Sequence, residues 1–353
     1  MEQNKKIPVF WKSALADIEE TASKVRKGNI RMIRSAGGRP VYFAQYGRKN
    51  DFRRTANLSS ASGCGDIRCY ADKTGPDIRP GLFLVGAMHG AEFEGTVALL
   101  NLINILETGR DFAGDDYPEW KNLDEWLNIY IIPCLNPDGR ARVPFESVCG
   151  MSFEDFRYYA QGTWKDGSLA GWPDCKKVHP ISDAAGHLGG YYNDDGINIM
   201  HDDFFSPMAE ETRFLLDMAD EYVPDATVLL HGGTNAPNML LQPACVPMYF
   251  KEETRKIALS LQKRCQKHGM STLVKDIEIS DNMPPVKMNA VTAVTMKCGE
   301  LCMTYESNQG LDRGELILTH EEIYKQHMLL FAEMIEYVRN LPERRAVKIA
   351  AAK

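Results

Sequence analysis

The apolar run from Leu82 to Met88 ends at His89, and Glu92 follows three positions later. A short apolar run of this kind predicts a buried strand. A strand that ends in His-x-x-Glu places an imidazole and a carboxylate at one turn, where both side chains can bind a single metal ion. Alone the pattern is weak evidence, because such matches arise by chance and this one lacks the second histidine of the helical zinc motif.

A second apolar run, Val228 to Leu230, also ends at a histidine, His231. Two imidazoles and one carboxylate, with a fourth position open to water, form a catalytic rather than a structural zinc site. Either histidine alone is better explained as an ordinary half-buried side chain. Together they predict one zinc ion per chain.

Segments that predict strands alternate with segments that predict helices. The predicted strands are 30–35, 41–46, 82–88, 128–135, 226–230, 291–296 and 301–305, and the predicted helices are 8–27, 92–106, 209–222, 251–268 and 320–340. This alternation predicts a mostly parallel sheet with helices on both faces. Since there is no repeat and no linker, we expect a single catalytic domain over residues 1–353, with a C-terminal helix at 320–340.

The segment 140–195 has poor periodicity and many Gly, Trp, Tyr and Asp residues. A long irregular stretch inside a compact domain is usually functional. We expect it to form a lid or insertion over the metal site, with Trp164, Trp172, Tyr191 or Tyr192 in the wall. The alternative is an insertion that lies far from the site.

The composition excludes several classes of partner. The formal net charge is −7 and no cluster of Lys and Arg forms a patch, which argues against nucleic acid. No stretch has the ~18 apolar residues of a membrane span, and the N-terminus lacks the apolar segment of a signal peptide. The nine scattered cysteines are typical of a reducing compartment. We therefore expect a cytoplasmic protein, while the oligomeric state stays open.

Glu306 ends the apolar run that starts at Leu301, again where a strand should finish. Catalytic groups in open α/β sheets gather beyond the carboxyl ends of the strands. A glutamate near a metal site is a candidate general base. A lone glutamate at a strand end is more often a surface group.

The order of these motifs over residues 80–310 resembles that of the zinc carboxypeptidases (peptidase family M14). The motifs are His89-Gly-Ala-Glu92, Asn136-Pro-Asp-Gly139, Gly196-Ile-Asn-Ile, Pro207-Met-Ala-Glu-Glu-Thr-Arg213, Leu230-His231-Gly-Gly and Thr304-Tyr-Glu306-Ser. The resemblance implies an α/β fold, a three-layer α/β/α sandwich around a mixed, mainly parallel sheet. It also implies the site residues: Glu306 as general base, and His89, Glu92 and His231 as zinc ligands.

The chain departs from this family where the substrate is held. Typical members have Gly-Val-Asp-x-Asn-Arg-Asn, whose arginine grips the terminal carboxylate of the substrate. Here Met200 and His201 stand for that asparagine and arginine, and Ala91 replaces the arginine that many digestive members carry. Lys165 is a loose counterpart of the oxyanion arginine, and the mobile tyrosine has no candidate. His201 and Lys165 are therefore the candidate substrate-binding residues.

Three functions stay open at this point. The first is a zinc amidohydrolase that cleaves an amide in a small peptide or acyl-amino compound whose end group is not a standard free C-terminus. The second is a conventional carboxypeptidase whose clamp is rebuilt from His201, Lys165 or arginines in 140–195. The third, a non-catalytic binding protein, is disfavoured because all the catalytic positions are intact. Zinc acyl-amino-acid hydrolases of the aspartoacylase type also begin with His-Gly-x-Glu, but the Asn-Pro-Asp-Gly turn and the Glu-Glu-Thr-Arg helix favour the peptidases.

Overall fold

The fold is described from a computed structural model that defines residues 7–65, 69–235, 239–241, 243–270 and 288–341. The strands are β1 (Asn29–Arg34), β2 (Pro40–Tyr46), β3 (Gly81–Val85), β4 (Asn128–Ile132), β5 (Gly162–Trp164), β6 (Ala185–Leu188), β7 (Ala226–Gly232), β8 (Met239–Leu241) and β9 (Leu301–Ser307). Strands β5 and β6 form a separate two-stranded sheet, and the other seven form the central sheet.

The central sheet is mixed, with parallel strands in its middle. Its order is β1-β2-β4-β3-β7-β9-β8. Strands β4, β3, β7 and β9 run parallel to one another, whereas β1, β2 and β8 pair antiparallel at the two edges. Because the four central strands are parallel, their carboxyl ends meet at one edge, where polar side chains converge.

Helices cover both faces of the sheet. They are α1 (Leu15–Lys24), α2 (Leu58–Gly63), α3 (Glu94–Thr108), α4 (Pro137–Ala141), α5 (Phe153–Ala160), α6 (Glu210–Tyr222), α7 (Met248–Lys267), α8 (Ala290–Cys298) and α9 (His320–Arg339). Helices α1, α3, α7 and α9 pack on one face, and α2, α6 and α8 pack on the other. This arrangement confirms the predicted α/β/α sandwich.

Alternation along the strands divides the apolar side chains between two cores. In β3, Leu82 and Leu84 belong to the first core, while Phe83 and Val85 belong to the second. All four are at most 1% exposed. A strand buried on both faces reads as a continuous apolar run, which is why the sequence revealed β3 so clearly.

A third, smaller core lies beside the carboxyl edge of the sheet. It joins Val143, Val148 and Phe156 to Ala91 and Phe93. Since Ala91 and Phe93 are the chain neighbours of Glu92, this core fixes the start of the segment 140–195 next to the predicted metal ligands.

The prediction of a strand at 291–296 is wrong, because these residues lie in α8. The side chain of Asn289 accepts a hydrogen bond from the backbone N–H of Val291 and so caps the start of the helix. Gly299, at φ 72°, ends it in the left-handed conformation. Burial of the apolar side chains against α6 outweighs the β preference of the Val and Thr residues.

The other differences are smaller. The first helix begins at Leu15 rather than at residue 8, because the carboxylate of Asp17 accepts from the backbone N–H of Ala14 and caps it there. No helix of the described residues is long and apolar enough to cross a membrane. The five buried cysteines, Cys134, Cys175, Cys265, Cys298 and Cys302, are free thiols.

Candidate metal centre

His89 and Glu92 lie on a tight loop between the end of β3 at Val85 and the start of α3. The loop closes on itself through a hydrogen bond from the N–H of Glu92 to the carbonyl of His89 (3.0 Å). It packs so closely on the turn at Gly139 that a β-carbon at Gly90 would lie 2.0 Å from the backbone N of Arg140. Only glycine fits there, so the loop and the Asn-Pro-Asp-Gly turn support each other.

The turn itself is a short helix, α4, which begins at an asparagine cap. The side chain of Asn136 accepts from the N–H of Gly139 at 2.8 Å. Asp138 is fully buried and accepts from Ser35 Oγ, the N–H of Gly37 and Arg39 Nη1. The Asn-Pro-Asp-Gly turn therefore packs against the loop that carries His89 and Glu92 and supports it.

His231 and Glu306 come from the adjacent strands β7 and β9. They are direct partners in the parallel register of these strands. His231 is 4% exposed and Glu306 is half-buried. The polar residues that end these two apolar runs therefore lie side by side at the carboxyl edge of the sheet.

The predicted ligands converge on the carboxylate of Glu92. Nδ1 of His89 lies 2.9 Å from Oε1 of Glu92, and Nδ1 of His231 lies 2.9 Å from Oε2. The N–H of Gly232 also donates to Oε2 (3.1 Å). One potential ligand atom from each of the three side chains lies within 4.8 Å of the others.

Asn198 contacts the opposite side of the His89 ring. Its Oδ1 lies 3.2 Å from Nε2 of His89 and also accepts from the backbone N–H of Met200 at 3.1 Å. The backbone donor identifies this atom as the amide oxygen. Asn198 belongs to the Gly196-Ile-Asn-Ile motif, and no role was predicted for its side chain.

Burial and mutual contact set the charges of the three side chains. Burial would raise the pKa of Glu92, but the two imidazoles hold it below its usual range. Burial lowers the pKa of His89 despite the same carboxylate. For His231, burial works against protonation, but the bond to Glu92 raises the pKa overall. Glu92 is therefore ionised, and His89 beside it is neutral.

Glu306 has a different environment. Burial raises its pKa to about 7, with the charge of Glu92 adding to the effect and those of His231 and Lys176 opposing it. A carboxyl group whose pKa lies near neutrality can both take and return a proton.

The segment 140–195 reaches the site through Tyr191. The ring of Tyr191 stacks on that of His89, with 3.9 Å between the centroids and 12° between the planes. Trp172, named beside it in the sequence analysis, is 63% exposed.

Of the two candidate substrate-binding residues, one lies near the ligands. His201 is half-buried, and the charges of His89 and His231 act on it. Burial lowers the pKa of His201 to about 3, so the ring is neutral at physiological pH. Lys165 is exposed, and within the described chain no hydrogen bond or ion pair joins it to this cluster.

Lys176 is a cation of the site that sequence reasoning missed. Its charge acts on Glu306, His231 and His201. Nothing in the local sequence marks it, because it lies in an irregular stretch and only the fold of that stretch brings it to the cluster.

The donor set suits zinc on a specific geometric ground. A neutral His89 has one N–H, yet its two ring nitrogens face two acceptors, the Asn198 amide oxygen and the Glu92 carboxylate. With the proton on Nε2, the lone pair of Nδ1 points at a carboxylate oxygen. A cation shared by these atoms removes that conflict, and zinc prefers two imidazoles and a carboxylate.

Comparison with known proteins agrees with this geometry. The family model for zinc carboxypeptidase (Peptidase_M14) matches residues 15–148, a range that includes His89 and Glu92 and ends before His231. Comparison with curated proteins gives no match.

Solved structures share the fold at low sequence identity. The metallo-carboxypeptidase of Burkholderia cenocepacia is 15% identical with a TM-score of 0.55, over 92% of this chain and 68% of that one. A protein assigned as carboxypeptidase A in Shewanella denitrificans is 14% identical with a TM-score of 0.56, also over 92% of this chain and 68% of that one. One assigned as a carboxypeptidase in Burkholderia mallei is 16% identical with a TM-score of 0.52, over 92% and 67%.

The fold and the His-Glu-His cluster define a zinc metallopeptidase. Over residues 15–148, a little more than a third of its length, the chain matches the zinc carboxypeptidase family, and its buried His-Glu-His cluster suits one zinc ion.

Proposed function

We propose that this protein hydrolyses an amide or peptide bond in a small peptide or acyl-amino substrate. His89, Glu92 and His231 hold the zinc ion, and Glu306 is the general base. The observation that carries the proposal is the contact of both Nδ1 atoms with the two oxygens of Glu92, each at 2.9 Å. In this arrangement one small cation can bind a donor atom of each of the three buried side chains.

The chemistry divides between the metal and Glu306. Bound zinc lowers the pKa of water from 15.7 to about 7 and polarises a carbonyl group. Glu306 accepts a proton from the attacking water, whose oxygen bonds to the carbonyl carbon of the substrate. Glu306 then donates this proton to the nitrogen as the C–N bond breaks, so the amine leaves neutral. Burial raises the pKa of Glu306, which makes it a stronger base than an ordinary carboxylate.

The surroundings favour a small substrate. Glu92 and His231 are 2% and 4% exposed, and the ring of Tyr191 covers one face of His89. The segment 140–195 forms the wall on that side and shields the reacting groups from bulk water. Residues 1–353 then act as one catalytic domain in which this segment is the lid.

A substrate screen tests the proposal. Zinc-loaded protein is incubated with dipeptides, muropeptides, γ-glutamyl compounds and acyl-amino acids, and the released amine is measured. We expect turnover of at least one of these classes, loss of that turnover after chelation, and recovery on adding zinc. Turnover that persists unchanged without metal would contradict the proposal.

The third function, that of a binding protein without catalysis, leads to a different expected result in this screen. It predicts that zinc binds but that no amide in the screen is cleaved. The position of Glu306 argues against it, because the register of β7 and β9 sets this carboxylate directly beside His231, where a general base would stand.

A further inference from the structure

The side-chain amide of Gln309 lies between the two segments that carry the candidate zinc ligands. One segment is the loop 86–93 between β3 and α3, and the other is the turn 232–235 that follows His231. Gln309 comes three positions after Glu306 and is fully buried. A buried amide needs partners for both its donor and its acceptor, and here the two ends contact different segments.

The carbonyl end of the amide contacts the turn 232–235. Its Oε1 accepts from the backbone N–H of Thr234 at 3.0 Å. The backbone N–H of Gln309 also donates to the carbonyl of Thr234 at 2.7 Å. The packing is close, because a β-carbon on Gly232 would lie 2.5 Å from Cδ of Gln309. Gln309 therefore binds both backbone polar groups of a residue three positions after His231.

Thr234 needs this support because its backbone is strained. Its φ is 59°, in the left-handed region that a β-branched residue rarely adopts. Such a conformation persists only where the surrounding structure holds it. The two hydrogen bonds to Gln309 hold the turn in this shape.

The other end of the amide contacts the loop 86–93 and the start of α3. Because Oε1 accepts from a backbone donor, Nε2 is the donating end. Nε2 lies 3.4 Å from the carbonyl oxygen of Ala91 and 3.4 Å from each carboxylate oxygen of Glu94. Ala91 directly precedes Glu92, and Glu94 is the first residue of α3. One side chain thus connects the backbone of both ligand-bearing segments.

The sheet alone does not set the separation of these segments. Between β3 and β7 the register ends at the pair Val85 and Leu229. The two segments lie beyond that pair, so contacts between them decide how far apart their side chains are held. Metal ligands have to be placed within a few tenths of an ångström, and buried polar partners commonly provide this precision.

We propose that Gln309 is a positioning residue of the zinc site, whose amide fixes the loop 86–93 relative to the turn 232–235 so that ligands from both reach one ion. The inference rests on the proposed function, since it takes His89, Glu92 and His231 as the ligands. It adds a residue that contacts none of the reacting groups and acts through the backbone of the two segments.

The test compares three variants of the full chain. Gln309→Met keeps the volume of the side chain and removes both polar ends. Gln309→Asn keeps the amide but is one methylene shorter, so it cannot reach both segments. The matched control is Asn308→Leu, which removes the neighbouring buried amide, whose partners are the carbonyl of Leu316 at 2.9 Å and the N–H of Gly310 at 2.8 Å.

Three quantities are measured for each variant. Competition with a chromophoric chelator gives the dissociation constant of zinc. The visible absorption of the cobalt(II)-substituted protein reports the arrangement of the ligands around the ion. Thermal unfolding of the metal-free protein reports stability, and circular dichroism confirms that each variant is folded.

We expect Gln309→Met and Gln309→Asn to weaken zinc binding about 10-fold or more and to change the cobalt spectrum. Asn308→Leu should lower the unfolding temperature of the metal-free protein as Gln309→Met does. It should nevertheless keep the zinc affinity within about twofold and the cobalt spectrum of the wild type, because a purely structural loss does not move the ligands.

The inference is overturned if a folded Gln309 variant has the zinc affinity and cobalt spectrum of the wild type. It is also overturned if Asn308→Leu weakens zinc binding as much as the Gln309 variants do. If Gln309→Met does not fold, Gln309→Asn carries the same comparison.

Failure of the proposed function gives a separate signature. A wild type that binds zinc but cleaves no substrate of the screen would contradict the proposed hydrolysis, while weaker zinc binding in the Gln309 variants would still support this inference. Absence of zinc from the wild type would contradict both proposals.

Discussion

Oδ1 of Asn198 lies 3.2 Å from Nε2 of His89 and holds the ring in one tautomer. Because Oδ1 also accepts from Met200, it faces His89 as an acceptor, and the ring must donate from Nε2. Nδ1 is then left as the atom that would bind the proposed zinc ion. Partners of this kind orient metal ligands, so Asn198 is a positioning residue of the zinc site.

Replacement of Asn198 by alanine should weaken zinc binding about 10- to 100-fold, the usual effect of losing such a partner. Asn198→Asp, which keeps an acceptor, should bind zinc much more tightly than the alanine variant. Competition with a chromophoric chelator measures both affinities. Equal zinc affinity in Asn198→Ala and the wild type would show that Asn198 does not position His89 for zinc binding.

Glu306→Gln should retain zinc but lose activity by 10²–10⁴-fold in kcat, because glutamine cannot carry the proton. The substrate found in the screen serves for the assay, with Glu321→Gln as the control because Glu321 is an exposed carboxylate on α9. A Glu306→Gln enzyme within a few-fold of the wild type would show that Glu306 is only a structural carboxylate.

Substrate affinity should show no step near pH 6.5 that depends on His201. Burial holds its pKa at about 3, so the ring carries no charge at either side of pH 6.5. An exposed histidine would instead titrate there. The check is the pH dependence of KM in wild type and His201→Ala: parallel curves are expected, and a step present only in the wild type would refute this assignment.

Asp138 should stabilise the fold in a pH-dependent way. Burial opposes its ionisation, but the donors Ser35, Gly37 and Arg39 hold its pKa below the usual range. Its contribution is therefore complete above the unfolded pKa of about 3.9 and is lost as the pH falls through the lower folded value.

Asp138→Asn should cost about 1–3 kcal/mol in the free energy of unfolding at pH 7, because the amide cannot accept from all of these donors. Asp194→Asn, at a half-exposed position, should cost less than about 1 kcal/mol. Urea unfolding at pH 7 and at pH 3 measures both variants. The wild type should exceed Asp138→Asn in the free energy of unfolding by less at pH 3 than at pH 7. A difference that grows as the pH falls would contradict the predicted sign.

The sequence predicted most of the central strands, and the proximity of the candidate ligands, for one physical reason. Strands buried on both faces read as apolar runs, and parallel strands bring their ends together. His89, His231 and Glu306 each follow such a run, so their proximity could be inferred without coordinates.

Other features depend on contacts that no local pattern records. The residues of α8 have β preference, and only the Asn289 cap and packing against α6 make them helical. The turn that carries Lys176 is tied to Tyr192 and Asn198 by hydrogen bonds of Cys175 and His179, whose partners lie 17 and 19 positions further along the chain. The low pKa of His201 likewise comes from burial, which residue type alone does not reveal.

Zinc content is the most direct test of the account. Purified wild-type protein, dialysed against trace zinc and analysed by atomic emission, should contain one zinc per chain. His231→Ala should contain none above background, while His268→Ala, which alters an exposed histidine next to α7, should match the wild type. Circular dichroism confirms that each variant is folded. Full zinc occupancy in a folded His231→Ala protein would contradict the assignment of His89, Glu92 and His231 as the metal centre.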